Sequence, residues 1–226
     1  QNLRMNVFDS PAIVNITTDK SKVIQISAHG KINDAGLRKS LGLALPSSVV
    51  GSTDWQGRAT ISDKKTDFSV KSNLQGLALQ LPAPLNKTAS ENMPFTLERK
   101  QSANNQDIIQ FNLGSAVAGK FLRSLQNGIG KIERGEIGIN TTPEIPNQKM
   151  INLRIVSNHL DLDDWLLQFD KTGSNSHSAE LPFNHIDLSA DSFDLFDKRI
   201  NNLKMNAQIS GNTWMFNLKS DEVTGS

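Results

Sequence analysis

The feature that most limits how this chain folds is a period-two alternation of apolar and polar residues, which recurs along most of its length. Ile24 and Ile26, for example, alternate with Gln25 and Ser27. Successive side chains of a β-strand point to opposite sides, so this alternation predicts strands with one apolar and one polar face. The alternating apolar positions are Ile24, Ile26, Phe68, Val70, Leu77, Leu79, Leu81, Ile109, Phe111, Leu113, Ile151, Leu153, Ile155, Leu203, Met205, Ile209, Phe216 and Leu218.

Short polar sequences separate the alternating runs, among them Asn104-Asn105 and Gly211-Asn212. Strands joined by tight turns pair antiparallel. The sequence therefore predicts a mainly β fold, a long, twisted antiparallel sheet that forms one continuous unit over residues 1–226. Two arrangements stay open at this point: one open, curved trough, or two sheets that bury their apolar faces against each other around a filled core.

Two segments interrupt the alternation and predict one or two short helices, near residues 33–42 and 161–169. The first begins at Asn33 and the second at Asp161, and both residue types favour the position that caps a helix N-terminus. Residues 117–125 are ambiguous, because their apolar residues fit a helical stripe while the segment directly follows a strand. It could form a helix or continue the sheet.

Charge and cysteine content exclude several functional classes. The chain has 24 Lys and Arg against 23 Asp and Glu, a formal net charge of +1, which argues against a nucleic-acid partner. It has no cysteine, so disulfides, thiolate metal sites and cysteine nucleophiles are excluded. No sequence motif indicates a cofactor or a metal ion, and we expect none.

Two clusters of polar residues can be explained either by a chemical function or by a structural role. His185 and Asp187 lie on one face of a strand and could form half of a metal site or a catalytic dyad, but an ordinary surface pair explains them better. Asp161, Asp163 and Asp164 could bind a cation, but capping of a helix explains them better, since acidic residues are stabilised at a helix N-terminus. We expect no catalytic residue.

Four longer sequences are more specific than the alternation. They are Leu45-Pro-Ser-Ser-Val-Val-Gly-Ser-Thr-Asp-Trp-Gln-Gly57, the stretch from Ser72 to Lys87, Leu160-Asp-Leu-Asp-Asp-Trp165 and Trp214-Met-Phe-Asn-Leu-Lys-Ser220. In this order and spacing they resemble the YhdP family of AsmA-like bacterial envelope proteins. The strongest single match is the string from Gly76 to Leu85, and the resemblance covers nearly the whole chain.

The resemblance implies an internal segment of the periplasmic region of a longer, inner-membrane-anchored protein. It implies a curved, taco-like sheet and a non-enzymatic role in moving phospholipid between the inner and outer membranes. The alternating apolar positions are then expected to line a groove for phospholipid acyl chains. Further partners are neighbouring segments of the same full-length chain and other envelope proteins. The alternative is a periplasmic β-sheet module for protein interaction or structural support, without bound lipid.

Overall fold

A computed structural model describes residues 2–41, 48–62, 65–102, 105–126, 129–171, 183–210 and 213–225. Within these ranges the chain forms fifteen strands and two helices. The strands are β1 (Asn2–Val7), β2 (Ser10–Thr18), β3 (Ile24–Asn33), β4 (Val49–Ser62), β5 (Lys65–Ser72), β6 (Leu77–Leu79), β7 (Phe95–Ser102), β8 (Gln106–Leu113), β9 (Val117–Gln126), β10 (Ile129–Ile139), β11 (Ile151–Asp161), β12 (His185–Leu195), β13 (Lys198–Ser210), β14 (Thr213–Lys219) and β15 (Thr224–Gly225). The helices are α1 (Asp34–Leu41) and α2 (Leu162–Lys171). The prediction of a mainly β fold is confirmed.

The strands follow one another across the sheet in chain order, except that β6 lies off this path and pairs with β4. Pairing is antiparallel from β1 through β5, from β5 through β7 to β8, and from β12 through β15. The sheet is mixed, however, because β10 pairs with β11 in parallel and β11 pairs with β12 in parallel. The antiparallel prediction is wrong for these two pairs.

The physical reason for the parallel pairs is the length of the connections. Parallel neighbours need a crossover that carries the chain back to the end where the first strand began. The segment 140–150, with Pro143 and Pro146, separates β10 from β11, and α2 follows β11. Neither connection is a tight turn. The proline-containing segment before β11 and the helix after it are visible in the sequence, and both indicate connections too long for a tight turn.

Both predicted helices are confirmed, and each begins where a side chain caps it. The Oδ1 atom of Asn33 accepts a hydrogen bond from the backbone N–H of Gly36 at 2.8 Å. Likewise, the Oδ1 atom of Asp161 accepts one from the backbone N–H of Asp164 at 3.0 Å. These bonds satisfy N–H groups that have no partner inside the helix. Of the helices in the described ranges, neither has the length and apolar character needed to cross a membrane.

The ambiguous segment 117–125 is a strand, since it lies within β9 between β8 and β10. The backbone N–H of Leu125 donates to the carbonyl oxygen of Asn105 at 2.7 Å. The side chain of Arg123 binds the carboxylate of Asp107 on β8. Pairing with neighbouring strands therefore decides the conformation where the local apolar pattern allowed two.

Contacts divide the chain into two compact units. Unit 1 comprises Gln1–Leu81, Leu85–Gly114 and Arg123–Lys131, and unit 2 comprises Pro82–Pro84, Ser115–Leu122 and Ile132–Ser226. Unit 1 contains a buried cluster of Val49, Leu74, Leu77 and Leu79, and a second one of Ala12, Ile32 and Trp55. Unit 2 contains a buried cluster of Leu188, Ala190, Phe193 and Leu203.

One end of the sheet in unit 1 is covered by α1 and by the segment around β6. Leu37 of α1 packs against both buried clusters of this unit. The ammonium group of Lys87, which is 5% exposed, donates hydrogen bonds to the carbonyl oxygens of Leu77 at 2.6 Å and Thr88 at 2.8 Å. Burial lowers the pKa of Lys87, because it disfavours the charged form. The two hydrogen bonds of Lys87 hold β6 and the residues that follow it together within the covering segment.

Candidate functional site

The strand register shows which side chains share a face of the sheet in unit 1. Directly paired residues of neighbouring strands point to the same side. Ile26 pairs with Ala59, and Ala59 pairs with Phe68. Applying this rule from β2 to β8 gives the apolar face of unit 1, whose partly covered or exposed residues are Ile16, Ile24, Ile26, Ala28, Ala59, Ile61, Phe68, Val70, Phe95, Leu97, Ile109, Phe111 and Leu113. Ala12, Val14, Ile32 and Trp55 lie on the same side and are buried.

The same reasoning defines the apolar face of unit 2. Ile155 pairs with Leu188, which pairs with Met205, which in turn pairs with Leu218. The parallel pairing of β11 and β12 does not interrupt this row. The apolar face of unit 2 consists of Ile151, Leu153, Ile155, Ile186, Leu188, Ala190, Leu203, Met205, Ala207, Ile209, Trp214, Phe216 and Leu218.

Most of the predicted apolar positions lie on these two faces and are only partly covered. Leu203 is buried, whereas Ile209 and Phe216 are exposed, at 39% and 51%. The remaining predicted positions on the two faces are half-buried: Ile24, Ile26, Phe68, Val70, Ile109, Phe111, Leu113, Ile151, Leu153, Ile155, Met205 and Leu218. The core residues of this chain, by comparison, are almost completely covered by protein. Leu77, for example, is only 2% exposed. The apolar faces therefore retain surface that a further apolar group could cover.

Leu77, Leu79 and Leu81 are placed differently from the open groove surface expected for them. The short strand β6 pairs with the beginning of β4, and Leu77 and Leu79 are buried in the cluster with Val49 and Leu74. Leu81 packs against the same cluster. Their side chains are covered by protein because this segment folds over the end of the sheet. They belong to the structural core of unit 1.

Each unit has a shallow depression that is lined by residues from both sides of its sheet. In unit 2 the depression has a volume of about 680 Å³, and Ile155, Leu188, Met205 and Leu218 contribute to its lining. Polar neighbours such as Asp187 and Lys204 also line it. Binding pockets for small molecules typically have volumes of about 300–1,000 Å³. The volume is that of a small-molecule pocket, but most of the lining residues, Asp187 and Lys204 among them, lie on the polar side of the sheet, so this depression does not mark the apolar face.

The depression in unit 1 has a volume of about 770 Å³ and is lined in part by Met5, Ala12 and Trp55. In the strand register Trp55 is paired with Gly30, Gly30 with Ala12, and Ala12 with Met5. The side chains of Met5, Ala12 and Trp55 therefore lie on one side of the sheet. They are not among the positions predicted from the sequence. A signal was available, because Met5 and Trp55 occupy alternating positions of their strands, but small or polar residues interrupt the pattern around them.

A charged cluster interrupts the apolar face of unit 1. Arg99 pairs with both Phe68 and Ile109, and is therefore on the same side of the sheet. The carboxylate of Asp107 is fully buried, and its Oδ2 atom accepts a hydrogen bond from Nε of Arg123 at 3.0 Å and lies 3.6 Å from Nε of Arg99. Sequence reasoning missed this cluster, because its three residues lie on three different strands.

His185 and Asp187 are on the opposite, polar side of the sheet in unit 2. Nε2 of His185 lies 3.1 Å from Oδ2 of Asp187, and the side-chain amide of Asn206 donates to Oδ1 of Asp187 at 2.7 Å. The pair is held by a neighbouring strand and is separate from the apolar face. The three residues form a local polar network.

One group of possible metal ligands occurs in the part of the chain that the structure describes. It consists of His159, Asp161 and Asp194. Asp194 accepts two hydrogen bonds from Arg199 at 2.8 Å, and Asp161 caps α2. These contacts account for both carboxylates without a metal ion. The predicted capping role is confirmed for Asp161. The carboxylate of Asp163 instead accepts the backbone N–H groups of Phe196 and Asp197 in the turn between β12 and β13.

Three carboxyl groups have a pKa below its ordinary value because hydrogen-bond donors stabilise the charged form. Arg199 lowers the pKa of Asp194 from 3.8 through its two hydrogen bonds. The backbone N–H of Asn201 lowers the pKa of Glu222 from 4.5, and its side-chain amide adds to the effect at 2.7 Å. The backbone N–H and hydroxyl of Thr88 lower the pKa of Glu91 in the same way.

These shifts predict that the protein loses stability in acid. A carboxyl group with a lowered pKa in the folded state stabilises the fold above its ordinary pKa, and this contribution is lost as the pH falls through the folded value. We expect the urea midpoint to be constant from about pH 7 to about pH 5 and to fall below about pH 4.5. Replacing Glu222→Gln should make the decline shallower. An identical decline in the variant and the native protein would contradict this assignment.

Comparison with known proteins places this sheet in a family. No curated protein and no solved structure matches the chain significantly. The family model described as the YhdP protein matches residues 1–226, the full length of the chain. The match agrees with the resemblance of the Gly76–Leu85 string and with the mainly β fold. This chain therefore belongs to the YhdP family of AsmA-like bacterial envelope proteins.

Proposed function

We propose that the apolar faces of units 1 and 2 bind the acyl chains of phospholipids. In this proposal the chain is a segment of the periplasmic region of an inner-membrane-anchored protein, and it helps phospholipid cross between the inner and outer membranes. The role is non-enzymatic and requires no cofactor. Its partners are phospholipid acyl chains, neighbouring segments of the full-length chain and other envelope proteins.

The energetics of lipid in water explain why such a protein needs a continuous apolar face. Each methylene group exposed to water costs about 0.8 kcal/mol, so two acyl chains with about 30 methylenes cost roughly 25 kcal/mol. A path across an aqueous compartment is usable only where something apolar covers the chains. The rows of half-buried Ile, Leu, Phe and Val on each unit offer such cover, while the headgroup stays in water.

The dimensions of the strands suit this role. The hydrocarbon core of a bilayer is about 30 Å thick, so the chains of one leaflet span about 15 Å. A strand of eight residues, such as β8, spans about 26 Å. One face of such a strand is long enough to accompany an acyl chain of one leaflet over its whole length.

The observation that carries the proposal is the incomplete burial of these faces. Phe216 is 51% exposed and Ile16 is 41% exposed, although both point to the side where their neighbours are apolar. An isolated exposed apolar residue is ordinary on a protein surface, but a contiguous row marks a surface that binds something. Hydrocarbon chains fit a surface that offers apolar side chains in long rows.

We expect Phe216→Asp to reduce acyl-chain binding at least about tenfold, because a carboxylate beneath a hydrocarbon chain loses its water. The matched control is Met215→Asp. Met215 is the adjacent residue, is 45% exposed and points to the opposite side of β14. The measurement is the affinity for a fluorescent fatty-acyl phospholipid, together with native mass spectrometry of co-purified lipid. Both variants should remain folded, with urea midpoints only slightly below that of the native protein, so that a loss of binding is not a loss of folding.

Ile16→Asp and Ile13→Asp provide the same contrast in unit 1. The two residues are 41% and 39% exposed and lie on opposite sides of β2. If variants of the apolar face and of the polar side reduced binding equally, the assigned faces would be wrong. If the native protein carried no phospholipid and bound none, the lipid role would fail, and the interaction or structural module without lipid would be favoured.

A further inference from the structure

Two arginines flank one buried carboxylate on the apolar face of unit 1. Arg99 lies on β7, Asp107 on β8 and Arg123 on β9. The arginine side chains are 20% and 22% exposed, and the Asp107 side chain is fully buried. Two cations and one anion leave a formal charge of +1. This positive charge is bounded by apolar side chains, where water screens it less than on an open surface.

The guanidinium of Arg99 is held in place by contacts other than the carboxylate. Its Nη2 atom donates to the carbonyl oxygen of Thr66 at 2.8 Å, and its Cζ atom lies 5.4 Å from the centre of the Phe68 ring. Its Nε atom is buried and has no hydrogen bond among the described residues. Packing over an aromatic ring fixes the plane of the guanidinium, so its donors are oriented before any ligand arrives.

The cluster adjoins the apolar face along the sheet. Arg99 is paired with Phe68 on one side and with Ile109 on the other, and Leu97 and Phe111 are the next pair on the same side. A ligand that contacts both regions has an anionic end and a hydrocarbon chain. The arginine fork matches a phosphate geometrically, and one phosphodiester carries the single negative charge that balances the cluster.

We propose that Arg99 and Arg123 bind the phosphate of a phospholipid whose acyl chains lie on the apolar face of unit 1. This inference rests on the proposed function and adds a headgroup site to it. Asp107 is a positioning residue, because it holds the guanidinium of Arg123 beside that of Arg99. The site favours anionic phospholipid over an uncharged lipid with the same chains.

The test compares two short-chain lipids by calorimetry with the whole 226-residue chain. Dihexanoyl phosphatidylglycerol carries the phosphate, and dihexanoylglycerol lacks it. We expect the native protein to bind the phospholipid about tenfold more tightly, and Arg99→Gln to bring the two affinities to about the same value. Arg58→Gln is the control, since Arg58 is exposed on the opposite side of β4 and its removal changes the net charge equally.

The possible outcomes separate this inference from the proposed function. If the native protein bound both lipids and Arg99→Gln kept the tenfold preference, the headgroup site would be overturned and the acyl-chain role would stand. If the native protein bound neither lipid, both would fail. Inorganic phosphate forms a third arm, and binding of phosphate as tight as that of the phospholipid would overturn the lipid assignment. Arg99→Lys keeps the charge without the fork, and an intermediate preference is expected.

Discussion

Replacing Arg123→Met is expected to destabilise the protein by about 3 kcal/mol or more. The carboxylate of Asp107 is fully buried and has Arg123 as its hydrogen-bonded counterion. Breaking a buried ion pair typically costs about 3–5 kcal/mol, and Arg99, whose Nε lies 3.6 Å from Oδ2 of Asp107 without a hydrogen bond to it, replaces only part of the lost stabilisation. Urea unfolding at about pH 7 measures the change in the free energy of unfolding.

A second substitution distinguishes this cause from lost packing. Asp107→Leu added to Arg123→Met removes the buried carboxylate, and most of the lost stability should return, since apolar replacements of buried ion pairs are often neutral and the partly exposed Arg99 keeps its hydrogen bond to the carbonyl oxygen of Thr66. Arg58→Met, on an exposed residue of the opposite side, should change the free energy of unfolding by less than about 0.5 kcal/mol. A single Arg123→Met variant as stable as the native protein would show that the pair is not energetically coupled.

Leu203→Ala is expected to destabilise the protein by about 2–5 kcal/mol, through lost apolar contact and the cavity left behind. Leu203 is 1% exposed and packs in the buried cluster of unit 2 with Leu188, Ala190 and Phe193. Thermal or urea unfolding measures the loss.

Phe216→Ala is the matched control for Leu203→Ala, because Phe216 lies on the same apolar face and is half exposed. Its loss of stability should be clearly smaller, although it removes more atoms. Equal losses at the two positions would mean that the exposed residues of this face are as important to folding as the covered ones. That result would argue against a face kept open for a ligand.

The sequence predicted the strands and most of the apolar face, because a period-two pattern is a local property. Ile26 and Phe68 could be assigned to apolar strand faces from their own neighbours alone. Which strands pair, and in which register, is decided by the whole sheet, so the alignment of Ile26 with Ala59 and Phe68 could not be read from the sequence.

Long-range packing explains the remaining differences. Leu77 and Leu79 alternate as exposed-face residues do, but the chain folds this segment against Val49 and buries them. Arg99 and Arg123 each look like ordinary surface charges on their own strands. Their meeting at Asp107 depends on strand order and register, which no local pattern specifies.

The opposite orientation of neighbours such as Met215 and Phe216 constrains how strands of this kind can change in length. Gaining or losing one residue inside a strand would turn every following side chain to the other side, so that charges would replace hydrocarbon along the row. A gain or loss of two residues leaves every following side chain on its original side of the sheet. We therefore expect related chains to vary within strands by even numbers of residues, and to vary without that restriction in the segments that connect them.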